Sequence, residues 1–212
     1  MLEKHYQAAT ANRMLAALRG VLKECWQAQL LSIEDYQSAI SIPPVRGESE
    51  PRGRHLSAGE LRSLFEACSG PSKEWQRQDS TARRRRDAAF LALAYSCGLR
   101  RSEAVAVDLA DLDLVGGELR VRRGKGRKPR QLTLPPSALP ALQDWLQVRG
   151  TGPGPLFCPV LKSGRLLKEG DQPARLSPGG AWRICRERGL QAQIRAPAPH
   201  DLRRTWIGTC ST

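Results

Sequence analysis

The spacing of apolar positions near the start of the chain predicts two helices followed by a linker. Between residues 10 and 29, apolar side chains recur at steps of three and four, the period of one helix face. These side chains are Leu15, Leu18, Leu22, Cys25 and Trp26. A shorter helix is predicted over residues 32–40, with Ser32 as its N-cap. Residues 43–56 contain several prolines and glycines without an apolar period and are interpreted as a linker.

The pattern after the linker predicts an α+β fold, mostly helical, with one small antiparallel sheet. Ser57 and Glu60 form a capping box that opens a helix. Further helices are predicted over residues 87–97 and 139–150, after Ser177-Pro178, and from near His200. Two alternating segments, residues 118–122 and 131–134, flank a basic, glycine-containing stretch and predict a β-hairpin. We therefore expect two domains, residues 1–42 and 57–212, joined by residues 43–56.

Charge is distributed unevenly over these two parts. The formal net charge of the 212 residues is +13, but residues 1–50 hold five basic and six acidic side chains. Residues 51–212 hold 29 basic and 15 acidic side chains, so the whole positive excess lies in the second part. This part is expected to meet a polyanion.

Composition excludes several other classes. The longest nearly apolar run has twelve residues, too few to span a bilayer, and the N-terminus has no apolar signal region. The six cysteines lie 25 or more residues apart, without zinc-ligand spacing, and are expected to be reduced thiols in the cytoplasm. Asp108, Asp111 and Asp113 lack the register of a calcium loop. We expect no metal, no cofactor and no membrane association.

Three separated motifs carry candidate chemistry. The first is Gly98-Leu-Arg100-Arg-Ser-Glu103, the second is Gly124-Lys125-Gly126 at the hairpin tip, and the third is His200-Asp-Leu-Arg203-Arg204. Arginine binds two phosphate oxygens through its planar fork, and lysine or histidine can transfer a proton. Each motif alone also has a plain structural interpretation: a helix C-cap for Arg100 or Arg101, a solvated charge for Lys125, and a satisfied histidine for His200.

The three motifs together, in this order and spacing, resemble the tyrosine recombinase family, which includes phage and integron integrases and Xer-type resolvases. The resemblance covers residues 57–212 and, more loosely, the helix of residues 10–29, which looks like the last part of the family's helical core-binding domain. It implies that Arg100 and Arg203 clamp the scissile phosphate, that Lys125 protonates the leaving 5′-oxygen, and that His200 assists proton transfer. The family reaction proceeds through a 3′-phosphotyrosyl bond without cofactor or metal.

The resemblance implies double-stranded DNA as the partner, and further basic side chains are candidates for holding its backbone. Four consecutive arginines occupy positions 83 to 86, and seven of the eleven residues from 120 to 130 are basic. The arginine run is equally compatible with a solvated helix start. The predicted DNA-binding residues are Arg84, Arg123, Arg127, Lys128, Arg130 and Arg204.

The tyrosine pattern departs from that of the family, whose nucleophile lies some tens of residues after the His-x-x-Arg motif. The tyrosines here are Tyr6, Tyr36 and Tyr95, and none matches. We therefore expect a chain truncated at both ends and inactive in cleavage by itself, with apolar surface uncovered at Trp206 and Ile207. Family members act as tetramers on paired sites, but self-association of this chain is not expected. The alternatives are a non-catalytic duplex-DNA-binding fragment and an unrelated basic nucleic-acid-binding protein.

Overall fold

A computed structural model describes residues 6–46, 53–70, 79–122 and 129–210, the side chain of Cys210 excepted. The chain divides into two compact units, Met1–Arg52 and Gly53–Thr212. Each unit is described by itself. None of the helices in the described ranges combines the length and apolar character needed to cross a membrane.

The first unit contains the two helices predicted from the pattern, α1 (Ala8–Gln27) and α2 (Ile33–Ile40). Ser32 caps α2 as predicted, accepting a hydrogen bond of 3.0 Å from the Asp35 amide. The predicted apolar face of α1 is only partly correct. Leu15 is buried, whereas Leu18 and Trp26 are exposed, and the Trp26 ring stacks on Tyr36 with centroids 5.2 Å apart.

The second unit contains six α-helices among its described residues. They are α3 (Ala58–Ser69), α4 (Thr81–Ser96), α5 (Arg101–Ala106), α6 (Leu139–Arg149), α7 (Pro178–Gln191) and α8 (Pro199–Cys210). The capping box of Ser57 and Glu60 and the N-cap at Ser177 are confirmed. The predicted start of the fourth helix at Asp87 is wrong, because α4 begins six residues earlier and includes the arginine run.

The predicted hairpin is present and belongs to a three-stranded antiparallel sheet. Its strands are β1 (Leu112–Asp113), β2 (Glu118–Val121) and β3 (Arg130–Thr133), in the order β1-β2-β3. Val121 pairs with Arg130, so the ladder ends where the hairpin tip begins. A second antiparallel pair, β4 (Lys168–Glu169) and β5 (Gln172–Pro173), was not predicted.

The core of the second unit surrounds α4, whose side chains from Ala89 to Ala94 are buried on every face. This helix packs against α3, α6 and α8. The apolar segment at residues 156–158 completes the core, and Phe157 meets Phe90 edge to face at 5.4 Å between centroids. Four cysteines are buried free thiols, as the sequence predicts, namely Cys68, Cys97, Cys158 and Cys185.

Candidate functional site

The site is organised around the turn that ends α4. Gly98 has a φ of +54°, and the Leu99 amide donates to the Ala94 carbonyl at 3.2 Å, which closes the helix end. A Cβ at position 98 would lie 2.3 Å from Cε3 of Trp206, so the Trp206 ring of α8 covers the open face of this glycine. The glycine that directly follows the predicted helix of residues 87–97 therefore also allows α8 to approach.

Arg100 follows this turn and is held by Glu103 in the first turn of α5. The Arg100 amide donates to Oε2 of Glu103 at 2.8 Å, and Nη1 of Arg100 donates to Oε1 at 2.8 Å. The carboxylate thus caps the helix and orients the guanidinium at the same time. The Arg100 side chain remains 39% exposed, so it can still meet a ligand.

The Glu103 carboxylate is shared with Arg130, the first residue of β3. Nη1 of Arg130 donates to Oε1 at 3.0 Å and Nη2 donates to Oε2 at 2.8 Å, a bidentate pair. Burial opposes ionisation of Glu103, but hydrogen bonds from Arg130 and from the amide and side chain of Arg100 outweigh it and lower the pKa of Glu103 to about 2. Arg130, predicted to bind DNA, therefore has both terminal nitrogens committed to Glu103.

Arg203 approaches the same turn from α8. Its Nη1 donates to the Gly98 carbonyl, two residues before Arg100. Burial and then the positive charges of Arg100 and Arg130 lower the pKa of Arg203, although Glu103 acts in the opposite direction. Three guanidinium groups and one carboxylate therefore share a small region with excess positive charge. Such a region is suited to a phosphate, which would accept hydrogen bonds and relieve the repulsion.

His200 lies in the first turn of α8, one turn before Arg203, and its side chain is exposed. The predicted hairpin residues Lys125, Arg123, Arg127 and Lys128 lie outside the described residues. The described part of the chain thus brings Arg100 and Arg203 to one turn, with His200 on the helix that carries Arg203.

The two other predicted DNA-binding arginines differ in their surroundings. Arg84 is half-buried at the start of α4, where its terminal nitrogens donate to the Asp79 carbonyl at 2.7 Å and to Oγ1 of Thr81 at 3.1 Å. Arg204 is half-buried on α8, next to Arg203. Within the run of four arginines, Arg86 is buried and pairs with Asp87. The run is therefore neither a fully solvated helix start nor a set of four arginines that are all free to contact DNA.

Sequence reasoning assigned no role to Glu103, although the spacing of three from Arg100 to Glu103 is a capping signal that could have identified it. It also missed a buried ion cluster formed by Arg86, Asp87, Arg188 and Asp79. The partners in this cluster are up to 109 residues apart, and no local pattern reports such a distance.

In the described ranges, no group of histidine, cysteine or carboxylate side chains could hold a metal ion. Ile207 is 45% exposed and Trp206 is half-buried against Gly98, so only part of the predicted apolar surface on α8 is open.

Comparison with known proteins shows which family this chain resembles in sequence. Residues 54–209 match the model of the phage integrase family. The chain is 38% identical over 202 residues to a tyrosine recombinase XerC of Alcanivorax borkumensis, which covers 93% of this chain and 58% of the relative. It is 32% identical over 213 residues to a XerC of Azotobacter vinelandii, covering 97% of this chain and 61% of the relative.

The fold is similar to that of a lambda integrase dimer bound to a COC′ core site, with a TM-score of 0.66 and 16% identity over 98% of this chain. The alignment spans 68% of the integrase chain. The present chain spans about three fifths of the length of the curated relatives it matches.

Proposed function

Since this chain belongs to the phage integrase family, we propose that it is the greater part of a recombinase that cleaves and rejoins DNA at specific sites. The reaction is transfer of a DNA phosphate to a tyrosine, which forms a 3′-phosphotyrosyl bond and releases the 5′-hydroxyl. Attack of the released hydroxyl on that bond rejoins the strand. The observation that carries this proposal is the bond from Arg203 to the Gly98 carbonyl, because it brings the second arginine to the turn that presents Arg100.

Arg100 and Arg203 would bind the non-bridging oxygens of the scissile phosphate and stabilise the charge of the pentavalent transition state. Glu103 supports this role, since it holds Arg100 and is itself held by Arg130, while the cluster remains net positive. Lys125 is proposed as the general acid for the leaving oxygen, and His200 as its assistant in proton transfer. No step in this scheme needs a metal or a cofactor.

The proposed partner is duplex DNA, held mainly through its phosphates. The positive excess of residues 51–212 supports this partner. The backbone contacts are assigned to Arg84, Arg204, Arg123, Arg127 and Lys128, while Arg130 is reassigned to the support of Glu103. A structure similar in fold is a lambda integrase tetramer bound to a Holliday junction, and a tetramer on paired sites is proposed for the assembled recombinase, acting in the cytoplasm.

The nucleophile is proposed to lie outside these 212 residues. The three tyrosines of the sequence all precede Arg100. Their position also favours the second candidate function, a fragment that grips duplex DNA without cutting it.

A chimera separates the two candidates. Residues 1–209 are joined to the C-terminal segment of the Azotobacter XerC and incubated with a nicked duplex on which that XerC itself forms an adduct. We expect a denaturant-resistant protein–DNA adduct from the chimera and none from the unextended chain. Arg100→Ala and Arg203→Ala should each slow its formation about 100-fold or more, as loss of one donor to a transition-state oxyanion does. The matched control is Arg101→Ala, an exposed neighbour.

Two results would contradict the proposal. A folded, DNA-bound chimera that forms no adduct supports the binding fragment. Normal cleavage by the Arg100 and Arg203 variants would show that the site is elsewhere.

A further inference from the structure

The segment that enters the second unit lies along α8, the helix that carries His200 and Arg203. We call residues 53–56 the strap. The Arg54 amide donates to Oδ1 of Asp201 at 2.9 Å, and the Leu56 amide donates to Oγ1 of Thr205 at 2.9 Å. The amides of two strap residues, separated by one residue, are thus paired with side chains of α8.

The side chains that receive the strap are themselves fixed to α8. Asp201 is buried, and its Oδ2 accepts from the Ala198 amide at 2.8 Å, which caps the start of the helix. Thr205 is also buried, and its hydroxyl donates to the Asp201 carbonyl at 2.8 Å. The contacts therefore form a closed set in which each polar atom has a partner.

Steric contacts add to these hydrogen bonds at both ends of the strap. Gly53 has a φ of +108°, and a Cβ there would lie 2.8 Å from Oδ1 of Asp201 and 3.5 Å from Cδ2 of His200. At the other end, a Cβ at Gly208 would lie 2.6 Å from Cε1 of His55. At Gly53 both the backbone conformation and the held Asp201 carboxylate disfavour a side chain, and at Gly208 an added Cβ would force the His55 ring to move.

The strap and the Gly98 turn contact opposite faces of α8. Asp201, Thr205 and Gly208 are spaced by four and three residues and share one face. Arg203 and Trp206, which contact Gly98, lie on the other face. The helix is therefore held from two sides, and the strap opposes any displacement of Arg203 away from the turn.

We infer that Asp201 and Thr205 are positioning residues, which fix α8 against the strap and so determine where His200 and Arg203 meet the scissile phosphate. This inference rests on the proposed function. It also gives the strap, residues 53–56, a part in assembling the site.

Thr205→Val is the main test, because it keeps the shape of the side chain and removes both hydrogen bonds. In the 212-residue chain, we expect faster amide hydrogen exchange at Leu56 and in the first turn of α8. In the chimera, we expect adduct formation to slow about 10- to 100-fold, as small misplacement of catalytic groups does. Affinity for duplex DNA should stay within about twofold of the parent. Thr205→Ser should restore both the exchange rate and the cleavage rate.

Ser80→Ala is the matched control, since it removes a helix cap at the far end of α4 without touching α8. It should leave α8 exchange and cleavage unchanged. Equal cleavage by the Thr205→Val and parent chimeras would overturn the inference, as would Thr205→Val cleavage that Ser fails to restore. If the parent chimera does not cleave DNA, that result contradicts the proposed function and not the positioning role. In that case amide exchange in the 212-residue chain decides the positioning role, and unchanged exchange at α8 in Thr205→Val would overturn it.

Discussion

Two clusters of arginine and carboxylate in the second unit use the same chemistry for different ends. In the buried cluster, Arg188 binds both oxygens of Asp79 at 2.7 Å and also bonds to Asp87, which pairs with Arg86. Two cations face two anions there. At the site, Arg100 and Arg130 bond to the single carboxylate of Glu103, and Arg203 is near enough to feel its charge.

The difference lies in charge balance and exposure. The Arg188 side chain is 2% exposed, and each buried charge in its cluster is paired with an opposite charge. Removing one partner would leave an uncompensated buried charge. The Arg100 side chain is 39% exposed and belongs to a cluster with an excess of positive charge. A balanced buried cluster is costly to break by removing one partner, whereas an unbalanced and accessible one is suited to an anion.

Replacing the buried arginine should have the largest effect on stability. Arg188→Met removes a cation on which two buried carboxylates depend, and we expect a loss of about 3–5 kcal/mol in the free energy of unfolding. Arg203→Met, in the site, should lose only about 1 kcal/mol. Urea denaturation followed by circular dichroism measures both. Equal losses would show that the two clusters do not differ as described.

Acid should weaken the site cluster through Glu103. Its pKa in the folded chain is about 2, below its ordinary value of 4.5. A lowered pKa contributes stability that is fully present above about pH 4.5 and is lost as the pH falls toward 2. We expect Glu103→Gln to remove about 2 kcal/mol of this pH dependence. Denaturation at a series of pH values between 6 and 2.5 tests this, and parallel curves for parent and variant would contradict it.

The smallest expected effect concerns DNA affinity. Duplex binding should weaken steeply with salt, because phosphate contacts release counterions. Arg204→Ala should lower the slope of log affinity against log salt by about one, whereas Arg130→Ala should lower it less, since its terminal nitrogens already bind Glu103. Fluorescence anisotropy with a labelled duplex gives both slopes. A larger decrease for Arg130→Ala would return that residue to the DNA surface.

Local signals in the sequence predict much of the fold. The caps at Ser32, Ser57 and Ser177 each place a helix start correctly, because a cap and its partner lie within three residues. The start of α4 was missed because four arginines conceal the helix period, and Arg86 is buried only through its pairing with Asp87. The strands of β4 and β5 have two residues each, too few to show an alternation.

The candidate site was predictable in its members but not in its connections. Arg100, His200 and Arg203 follow from motifs, and their catalytic roles stay predictions. The pair of Arg130 with Glu103 joins residues 27 positions apart on different elements, so only the tertiary structure can report it. In the sequence of the basic hairpin, nothing distinguishes Arg130 from the neighbouring arginines, and only its pairing with Glu103 does so.

The glycine at position 98, covered by the Trp206 ring, limits which substitutions this position can accept during evolution. Its φ of +54° disfavours other residues, and the Trp206 ring fills the space that a side chain would need. Gln29 and Gln193 adopt a similar φ in this chain, so the Trp206 ring is the stronger obstacle. A side chain at position 98 would need a second change that removes this ring from its place. We expect position 98 to be among the last to vary in any lineage that keeps the site in use. Replacement of this glycine should mark gene copies in which the site is no longer under selection.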